Sequence, residues 1–594
     1  YSKGTYDDFG IYMNILGYAY ALQDMRGRYN SEGVYLPMSS DSWEKYSYYP
    51  NSNHPLDITV NSDSSNCKYH EDGKHSITFI KDSLYKDYDL DRDGINETYD
   101  KVYNGSIAML GASALGNTQY QAASAIKNDV NQDGLKGLVP IVATNEMFNS
   151  VIQHNGVFRQ ALVQGWLTGQ LYHNTDTNYL DSNIQNSIHS IYDYGNIPRD
   201  SIYDLAVDFV TSFQDNNGYS GMYPNYEYRK FSDASFANID NLGNSDINGA
   251  YNRYSNLELP IFHLTGWWDI FIDGQIDTYN NVMQNTSLNT KKNQKLVIGP
   301  WTHGTIAEDI VGDITFPQSV FNLKIVNSTN NISNNLIDLV EGEIVDWLRY
   351  LLNYDSSSYL GEPKVLIPES DIWQQFGNND SLRAPASDYY ITYSNFINYL
   401  SGYQDLENFP VEIKIAGIIS SFNFALPTDT SNQITGTQAT SNPVSPKVDY
   451  AQIPNVRFYI PGPVNDGVTQ NNQVGNYWFN SNSFPFQSGI KDYTLFFHNN
   501  GILDTIEPQT IETPLSYEHD PDNPVYTIGG GNLGITTPQG NRVNAGPLNY
   551  ADTSFAPYTM DRADVLQFES NFIQDSLCII GVPLAKIYAS SSPV

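Results

Sequence analysis

The sequence has few charged side chains, and basic ones are especially scarce. Asp, Glu, Lys and Arg make up 16% of the 594 residues, against about 25% in a typical globular protein. There are 31 Lys and Arg against 66 Asp and Glu, which gives a formal net charge of −35. Because binding to phosphates needs clustered cations, this balance argues against nucleic acid and against anionic membrane surfaces as partners.

Long apolar runs and cysteines are also scarce. No stretch reaches the roughly 18 consecutive apolar residues of a transmembrane helix, so no membrane span is predicted. The two cysteines, Cys67 and Cys578, fit neither a metal site nor a disulfide framework. A single long-range bridge between them and two free thiols both stay open.

Uncharged polar residues take the place of the missing charges. The chain has 45 Tyr and is rich in Asn and Ser. Such a surface suits a protein in an acidic medium. A protein with many charged residues would become strongly positive there, because its Asp and Glu side chains would be protonated, and the remaining positive charges would repel one another. We therefore expect an extracellular or cell-surface protein, with an acidic habitat as a hypothesis. Six N-x-[ST] sequons permit glycosylation, at Asn96, Asn104, Asn285, Asn327, Asn331 and Asn379.

Residues 104–125 have the pattern of a strand, a sharp turn and a helix around one serine. An apolar run ends at Gly111, Ser113 lies between small residues, and Gly116 precedes a run of helix formers. A serine at such a turn is raised above the end of a sheet, as in a nucleophile elbow. The spacing is G-x-S-x-x-G because Leu115 takes the expected glycine position. Taken alone, the motif fits a small-residue turn without chemistry equally well.

Two later strand candidates each end in a Gly-Trp loop that carries one titratable residue. Residues 259–264 lead to Asp269 through TGWW, and residues 295–298 lead to His303 through GPWT. Singly, Asp269 also fits a helix cap and His303 a turn histidine. A serine, an aspartate and a histidine in this chain order, each just beyond a strand, is the order of an α/β-hydrolase triad. The shared order favours catalytic roles for Ser113, Asp269 and His303.

The rest of the chain divides by composition and periodicity. We predict a first α/β-core part at 1–143 with an insertion at about 37–101, a helical cap at 144–257, a second core part at 258–360 and an all-β domain at 361–594. A strand at Tyr18–Gln23 would lead into a loop with Arg26 and Glu32, which fits a functional loop or a structural ion pair. The helical block fits either a lid over the site or a packed accessory bundle.

Two acidic stretches have the spacing of a calcium-binding loop. The first has carboxylates at loop positions one, three, five, nine and twelve, namely Asp89, Asp91, Asp93, Glu97 and Asp100. An acidic glycine turn explains the same residues, since Asp replaces the usual final Glu. A second and poorer copy has Asp129, Asn131 and Asp133 but Pro140 at position twelve. Structural Ca²⁺ is predicted as a bound ion, and no cofactor is expected for catalysis.

Several motifs together resemble the cocaine esterase / X-Pro dipeptidyl-peptidase family of serine hydrolases, which includes α-amino acid ester hydrolases and glutaryl-cephalosporin acylase-like proteins. They are TYDDF around Tyr6, QDMRGRYNSEG at 23–33, GASALG around Ser113, GWWD ending at Asp269 and GPWTH ending at His303. The resemblance implies an α/β-hydrolase core, an inserted helical cap and a C-terminal jelly roll, with segments missing from this chain at both ends.

The same resemblance implies roles for individual residues. Ser113 would be the nucleophile, His303 the general base and acid, and Asp269 the carboxylate that orients it. The Ala114 backbone N–H and the Tyr6 hydroxyl would form the oxyanion hole. Ala114 departs from the family pattern, in which a tyrosine usually follows the nucleophile.

We therefore expect a secreted serine hydrolase that cleaves an ester or amide acyl bond of a small molecule or short peptide. Its substrate pocket is predicted to contain Trp267, Trp268, Trp301, Phe271 and Glu146. One alternative is an X-Pro dipeptidyl aminopeptidase, for which Glu146 or Asp273 would bind the substrate ammonium. The other is a catalytically weak surface or structural protein that keeps the fold. Assembly into a homo-oligomer stays open.

Overall fold

A computed structural model describes part of the chain. The described residues are 18–24, 46–51, 54–59, 68–70, 72–82, 85–88, 97–101, 103, 105–126, 134–146, parts of 150–166, 253–316, 343–353, 454–463, 475–485, 492–536 and parts of 542–591. Their helices are α1 (Asp72–Asp82), α2 (Ala114–Ile126), α3 (Ile272–Asn285), α4 (Leu288–Lys292) and α5 (Glu343–Asn353), with a 3-10 turn at Arg253–Asn256.

The strands belong to one six-stranded sheet and several short hairpins. In chain order they are β1 (Tyr46–Asn51), β2 (His54–Thr59), β3 (Lys68–His70), β4 (Tyr85–Tyr88), β5 (Glu97–Lys101), β6 (Ile107–Ala112), β7 (Leu135–Ile141), β8 (Gln153–His154), β9 (Val157–Phe158), β10 (Ile261–Trp268), β11 (Gln294–Thr302), β12 (Ile310–Val311), β13 (Ile314–Thr315), β14 (Val456–Ile460), β15 (Tyr477–Ser481), β16 (Phe496–Phe497), β17 (Leu503–Asp504), β18 (Ile535–Thr536) and β19 (Arg542–Val543).

The large sheet has the strand order β15-β14-β11-β10-β7-β6. The ladders from β6 to β14 are parallel, and β15 pairs with β14 in the antiparallel direction. Helix α2 connects β6 to β7 and α3 lies between β10 and β11, as parallel neighbours require a crossover. The central strand β11 is buried at all nine positions, which explains its nearly continuous apolar sequence.

Helices cover both faces of this sheet. The ring of Phe262 in β10 lies 5.6 Å from the ring of Trp347 in α5. The next residue, His263, contacts Tyr120 of α2 and Tyr279 of α3. Because successive side chains of a strand point to opposite faces, α5 covers one face and α2 and α3 the other. The mixed sheet between helical layers fits the predicted α/β-hydrolase core.

Each predicted strand of the core except the first is present, with altered ends. The predicted strands at 107–110, 138–143, 259–264 and 295–298 correspond to β6, β7, β10 and β11, and the helix predicted at 344–352 corresponds to α5. The strand predicted at Tyr18–Gln23 is wrong, since residues 18–24 are neither helix nor strand.

The C-terminal boundary also differs from the prediction. Strands β14 and β15 belong to the core sheet, although the sequence assigned residues 361–594 to a separate β domain. Their inward side chains, including Val456 and Phe458, pack with Leu296 and Ile298 of β11 in one hydrophobic cluster. Further along the chain, the described strands β16 to β19 form two-stranded pairs. A jelly roll therefore stays a prediction.

The predicted cap lies mostly outside the described residues. Its described parts are the hairpin of β8 and β9 and the 3-10 turn at Arg253–Asn256, whose Tyr254 packs under the sheet in the second hydrophobic cluster. None of the helices in the described ranges is long and apolar enough to cross a membrane. Among the sequons, Asn285 lies at the end of α3, where its side-chain amide donates to the Asn281 carbonyl.

Candidate active site

Ser113 occupies a strained turn between β6 and α2. Its φ of 56° lies in the left-handed region, which is rare for a residue with a side chain. The Ser113 N–H donates to the Ile141 carbonyl at 2.8 Å, and its carbonyl accepts from Gly116 and Asn117. Helix α2 begins at Ala114, so the Ala114 N–H has no intrahelical acceptor. The strand, sharp turn and helix predicted around Ser113 are therefore present.

Two glycines, Gly111 and Gly116, allow the chain to turn tightly on either side of Ser113. A methyl group added at Gly111 would lie 2.6 Å from Cβ of Leu115, and one at Gly116 would lie 2.4 Å from Cβ of Ala143. Both distances are far shorter than carbon atoms tolerate. The altered spacing of the motif is thereby explained, because Gly116 is the helix residue that packs directly on the end of β7.

Ser113, His303 and Asp269 form a continuous chain of hydrogen bonds. Ser113 Oγ lies 2.9 Å from His303 Nε2, and His303 Nδ1 lies 2.6 Å from Asp269 Oδ1. A carboxylate only accepts, so the proton of the neutral imidazole is on Nδ1 and Nε2 accepts from the serine hydroxyl. The three residues come from the ends of β6, β10 and β11, as the chain order predicted.

Asp269 is buried and held by further donors. Its Oδ2 accepts from Thr265 Oγ and from the Phe271 backbone N–H, both at 3.2 Å. Its side chain has no exposed surface, whereas 15% of the His303 side chain is exposed. The histidine is therefore accessible from outside while its carboxylate partner is not. Thr265 was missed by sequence reasoning, and no motif marks it.

The loop that bears His303 is braced by two threonines. The Thr302 N–H donates to Thr305 Oγ at 3.0 Å, and the two hydroxyls lie 2.8 Å apart. Thr302 Oγ also accepts from the Gly304 N–H at 3.3 Å. These bonds fix the backbone on both sides of His303.

Phe271 and Arg159 extend the site beyond the histidine. The Phe271 ring meets the His303 ring edge to face at 5.3 Å, and the Arg159 guanidinium lies 6.0 Å from the centre of the Phe271 ring. Arg159 Nη1 donates to the carbonyls of Ser150 and Ile270, which joins the first hairpin of the predicted cap to the Asp269 loop. Burial lowers the pKa of Arg159, although the charges of Asp269 and a neighbouring carboxylate oppose this shift. Sequence reasoning placed Phe271 at the site and missed Arg159.

The three tryptophans have different positions. Trp268 stacks on Phe316 at the edge of the site. Trp267 is partly buried, donates to the Tyr459 carbonyl at 2.6 Å and packs on the rings of Phe458 and Phe484.

Trp301 is fully buried and packs in the core. Its indole N–H donates to the Glu308 carbonyl at 3.1 Å. A methyl group at Gly266 would lie 2.2 Å from the Trp301 carbonyl oxygen, and one at Gly299 would lie 2.2 Å from the Trp301 ring. The prediction that Trp301 lines a substrate pocket is therefore corrected: the Gly-Trp pairs create space for a core ring.

The two acids predicted to bind an ammonium group have other contacts. Glu146 is buried, and its Oε1 accepts from the Tyr254 hydroxyl at 3.0 Å. Asp273 is exposed in the first turn of α3, where its Oδ2 lies 2.9 Å from His154 Nε2. Neither carboxylate is bonded to the Ser113, His303 and Asp269 chain.

Several predicted site residues lie outside the described residues. They include the oxyanion residue Tyr6, the loop residues Arg26 and Glu32, and the calcium ligands Asp89, Asp91, Asp93, Asp129, Asn131 and Asp133. Glu97 and Asp100 fall within β5. Within the described ranges, no group of three or more His, Cys, Asp or Glu side chains is arranged to hold a metal ion.

Comparisons with known proteins agree with the resemblance seen in the motifs. A family model, X-Pro dipeptidyl-peptidase (S15 family), matches residues 95–305, the segment that contains Ser113, Asp269 and His303. No curated protein matches the chain. The matched segment of this chain is therefore similar to hydrolases of the X-Pro dipeptidyl-peptidase kind.

One solved structure that is similar to this chain is a CocE/NonD family hydrolase from Staphylococcus aureus. The identity is 12% and the TM-score 0.30, over 81% of this chain and 45% of that chain. This chain thus spans less than half the length of that relative.

Proposed function

We propose that the chain cleaves ester or amide acyl bonds through an acyl-enzyme, with Ser113 as nucleophile. The observation that carries this proposal is the hydrogen-bonded chain from Ser113 Oγ through His303 to Asp269, at 2.9 and 2.6 Å. Nucleophile, base and orienting carboxylate at these distances are the defining geometry of a Ser-His-Asp triad.

In the proposed reaction, His303 Nε2 takes the serine proton while Ser113 Oγ attacks the substrate carbonyl carbon. Asp269 stabilises the imidazolium that forms and keeps its Nδ1–H in place. His303 then gives the proton to the leaving alcohol or amine. In the second half, water attacks the acyl-enzyme with the same histidine as base, and the acid product leaves Ser113 free.

The negative charge that develops on the carbonyl oxygen needs donors. The Ala114 N–H at the start of α2 is one, and the helix dipole adds to its effect. We propose the Tyr6 hydroxyl as the second donor, on the strength of the TYDDF motif. Removal of one such donor typically costs about 3 kcal/mol of transition-state stabilisation, so Tyr6→Phe tests this assignment through kcat for an aryl ester.

A fluorophosphonate probe tests the main proposal. It should label the wild type at one site, and Ser113→Ala should abolish labelling while the protein keeps its circular dichroism spectrum. Ser106→Ala is a matched control, because Ser106 directly precedes β6 and has no part in the proposed chemistry. Folded wild-type protein that resists the probe would instead support the alternative of a hydrolase fold without useful activity.

An X-Pro dipeptidyl aminopeptidase is the second candidate, favoured by the family model that matches residues 95–305. It requires an acid that binds the substrate α-ammonium. Hydrolysis of an X-Pro arylamide with a free amine, compared with its N-acetylated form, separates the two candidates. A strong preference for the free amine identifies the peptidase, and Glu146→Gln or Asp273→Asn then shows which acid binds it.

Secretion, glycosylation and Ca²⁺ binding are also proposals, supported by composition and motif spacing. Isothermal titration of chelator-treated protein tests Ca²⁺ binding at Asp89, Asp91, Asp93, Glu97 and Asp100. Heat of binding that disappears in Asp91→Asn supports the site, and no uptake contradicts it.

A further inference from the structure

A pair of glycine-rich segments near the C-terminus contacts both loops that carry the Asp269–His303 pair. We define the glycine clamp as residues 529–531 together with residues 546 and 547. Gly530 and Gly546 exchange two backbone hydrogen bonds, at 2.7 and 2.9 Å, in an isolated antiparallel bridge. Gly529, Gly530 and Gly546 have φ values of 69°, 66° and 104°, so the bridge depends on glycine.

One side of the clamp faces the loop of the triad carboxylate. A methyl group added at Gly531 would lie 3.4 Å from the Asp269 carbonyl oxygen and 3.8 Å from that of Trp268. The other carbonyl of this loop, Ile270, accepts from Arg159. The Asp269 loop thus contacts the glycine clamp on one side and Arg159, which follows β9, on another.

The other side of the clamp faces the loop of the triad histidine. A methyl group added at Gly546, which is buried, would lie 3.0 Å from Cγ2 of Thr302, the residue before His303. Pro547 holds the hairpin that follows this loop, because its carbonyl accepts from the Asp313 N–H at 3.0 Å. A methyl group at Gly312 would lie 2.3 Å from the same carbonyl oxygen. Backbone therefore packs directly on backbone here.

We infer that the glycine clamp is a positioning element of the active site, which fixes the Asp269 and His303 loops relative to each other. The two loops follow the neighbouring strands β10 and β11, whose last ladder pair, Trp268 with Thr302, lies directly before Asp269 and His303. Beyond that pair the sheet does not hold the two loops together. Since misplacement of a catalytic group by about 1 Å costs on the order of 100-fold in rate, a second restraint above the sheet has kinetic value. In this role the clamp acts on the triad proposed above, and so rests on the proposed function.

The test is a double-mutant cycle between the clamp and the histidine loop. Gly546→Ala should push Thr302 and lower kcat for an aryl ester by about 10- to 100-fold, with KM changed less than about threefold. Thr302→Ser removes Cγ2 but keeps the hydroxyl, so in the Gly546→Ala background it should recover at least about half of the loss on a logarithmic scale. Rescue separates displacement of the loop from general backbone strain.

A matched control is Gly501→Ala. Gly501 also lies in the C-terminal part with a positive φ of 80°, and its added methyl would meet the Gln567 carbonyl at 3.3 Å, away from the catalytic loops. It should leave kcat within about twofold. Equal losses in Gly546→Ala and Gly501→Ala, or no rescue by Thr302→Ser, would overturn the inference.

A second variant tests the clamp if Gly546→Ala does not fold, and a second measurement tests it if the protein has no esterase activity. Gly531 is exposed and has no positive φ, so Gly531→Ile should fold even if Gly546→Ala does not, and it should lower kcat by about 3- to 10-fold. Unchanged kcat in this variant contradicts the clamp. The proton of the His303–Asp269 bond gives a far-downfield NMR resonance, which should shift or broaden in both variants. If the wild type resists the fluorophosphonate, the proposed function fails, and this resonance still decides the positioning role.

Discussion

At the scale of single residues, the surroundings of Asp269 determine how the imidazole is protonated. Thr265 Oγ and the Phe271 N–H both donate to Oδ2, which leaves Oδ1 for His303. All three partners are donors, so the site is built for a group that only accepts. A carboxylate meets this requirement and an amide does not.

Asp269→Asn should therefore reverse the histidine tautomer. The donors at Oδ2 would hold the amide oxygen, and its NH₂ group would face His303 Nδ1, which places the imidazole proton on Nε2, where it blocks proton transfer from Ser113. We expect kcat to fall by about 10³- to 10⁴-fold with little change in KM. Steady-state kinetics on an aryl ester gives the result. Asp522→Asn, an exposed change in the C-terminal part, should stay within about twofold, and an equal loss there would refute the tautomer argument.

A second histidine, His263 of β10, is buried between the sheet and the helices α2 and α3. Its Nδ1 lies 2.7 Å from the Tyr120 hydroxyl and its Nε2 lies 3.3 Å from Gln294 Oε1. Gln294 donates from its amide nitrogen to the Leu259 carbonyl, so its oxygen must accept from His263 Nε2–H. Burial lowers the pKa of His263 to about 3.

This histidine should make the fold sensitive to acid. The unfolded chain binds a proton near the ordinary histidine pKa of about 6.5, while the folded chain does not until about pH 3. The contribution of neutral His263 to the free energy of unfolding is complete above pH 6.5. As the pH falls from 6.5 to 3, this contribution decreases by up to about 1.4 kcal/mol per pH unit. In urea titrations at pH 7 and pH 4.5, His263→Gln should lose less stability on acidification than the wild type. His519→Gln, at an exposed site, should match the wild type; an unchanged slope in His263→Gln would be the contrary result.

The hydrogen-bonded arrangement of Ser113, Asp269 and His303 could be predicted from the sequence, because each residue directly follows an apolar strand and their chain order then restricts the fold. The role of Trp301 could not, since its burial depends on the missing side chains of Gly266 and Gly299. Arg159 could not be found either. Arg159 donates hydrogen bonds to the backbone carbonyls of Ser150 and Ile270, which are far apart in sequence. No local sequence pattern indicates contacts of this kind.

At the scale of elements, the contact between α2 and the end of β7 sets the position of Ser113. Gly116 lies against Ala143 and near the carbonyls of Gly111 and Ile141. The helix can therefore approach the sheet only where it has no side chain. Ser113 directly precedes the first residue of this helix, so any movement of α2 also moves Ser113.

Gly116→Ala should destabilise the protein despite the better helix propensity of alanine. Propensity favours alanine by about 1 kcal/mol, whereas overpacking of a tight core costs about 1–3 kcal/mol, and here the added methyl would lie 2.4 Å from Cβ of Ala143. We expect lower stability in urea together with slower fluorophosphonate labelling. Adding Ala143→Gly should restore part of both. No improvement in the double variant, relative to Gly116→Ala alone, would show that the contact does not limit α2.

The sheet itself was only partly predictable at this scale. Strands β6, β7, β10 and β11 have apolar runs bounded by turn residues, and these identify buried parallel strands. Strand β14 has a similar run, VRFYI, but it follows a long stretch of alternating, turn-rich sequence that favours a separate β domain. Its pairing with β11 is a long-range contact, so its own residues do not reveal the partner.

At the scale of the whole molecule, the hydrolase core requires the C-terminal part of the chain. Leu296, Val297 and Ile298 of β11 pair with Val456, Arg457 and Phe458 of β14. Without β14, a strand that is buried along its whole length would become the edge of the sheet. Exposed apolar edges pair with other chains and cause aggregation.

A chain that ends at residue 360, the predicted end of the core, should therefore be insoluble or aggregated, although it contains Ser113, Asp269 and His303. A chain that ends at residue 491, after β15, keeps the full six-stranded sheet and should be more soluble. Size-exclusion chromatography and circular dichroism compare the two products. A monomeric, folded product from the shorter chain would contradict the role of β14.

The late arrival of β14 also affects how the protein is made. A ribosome releases the N-terminal residues first, so all three members of the triad emerge while β14 and β15 are still to be synthesised. During that interval the nascent chain exposes the β11 edge, and pairing over such a long separation is slow. Production of this protein should therefore depend on chaperone capacity and on the rate of translation between β11 and β14, more than on the stability of the finished sheet.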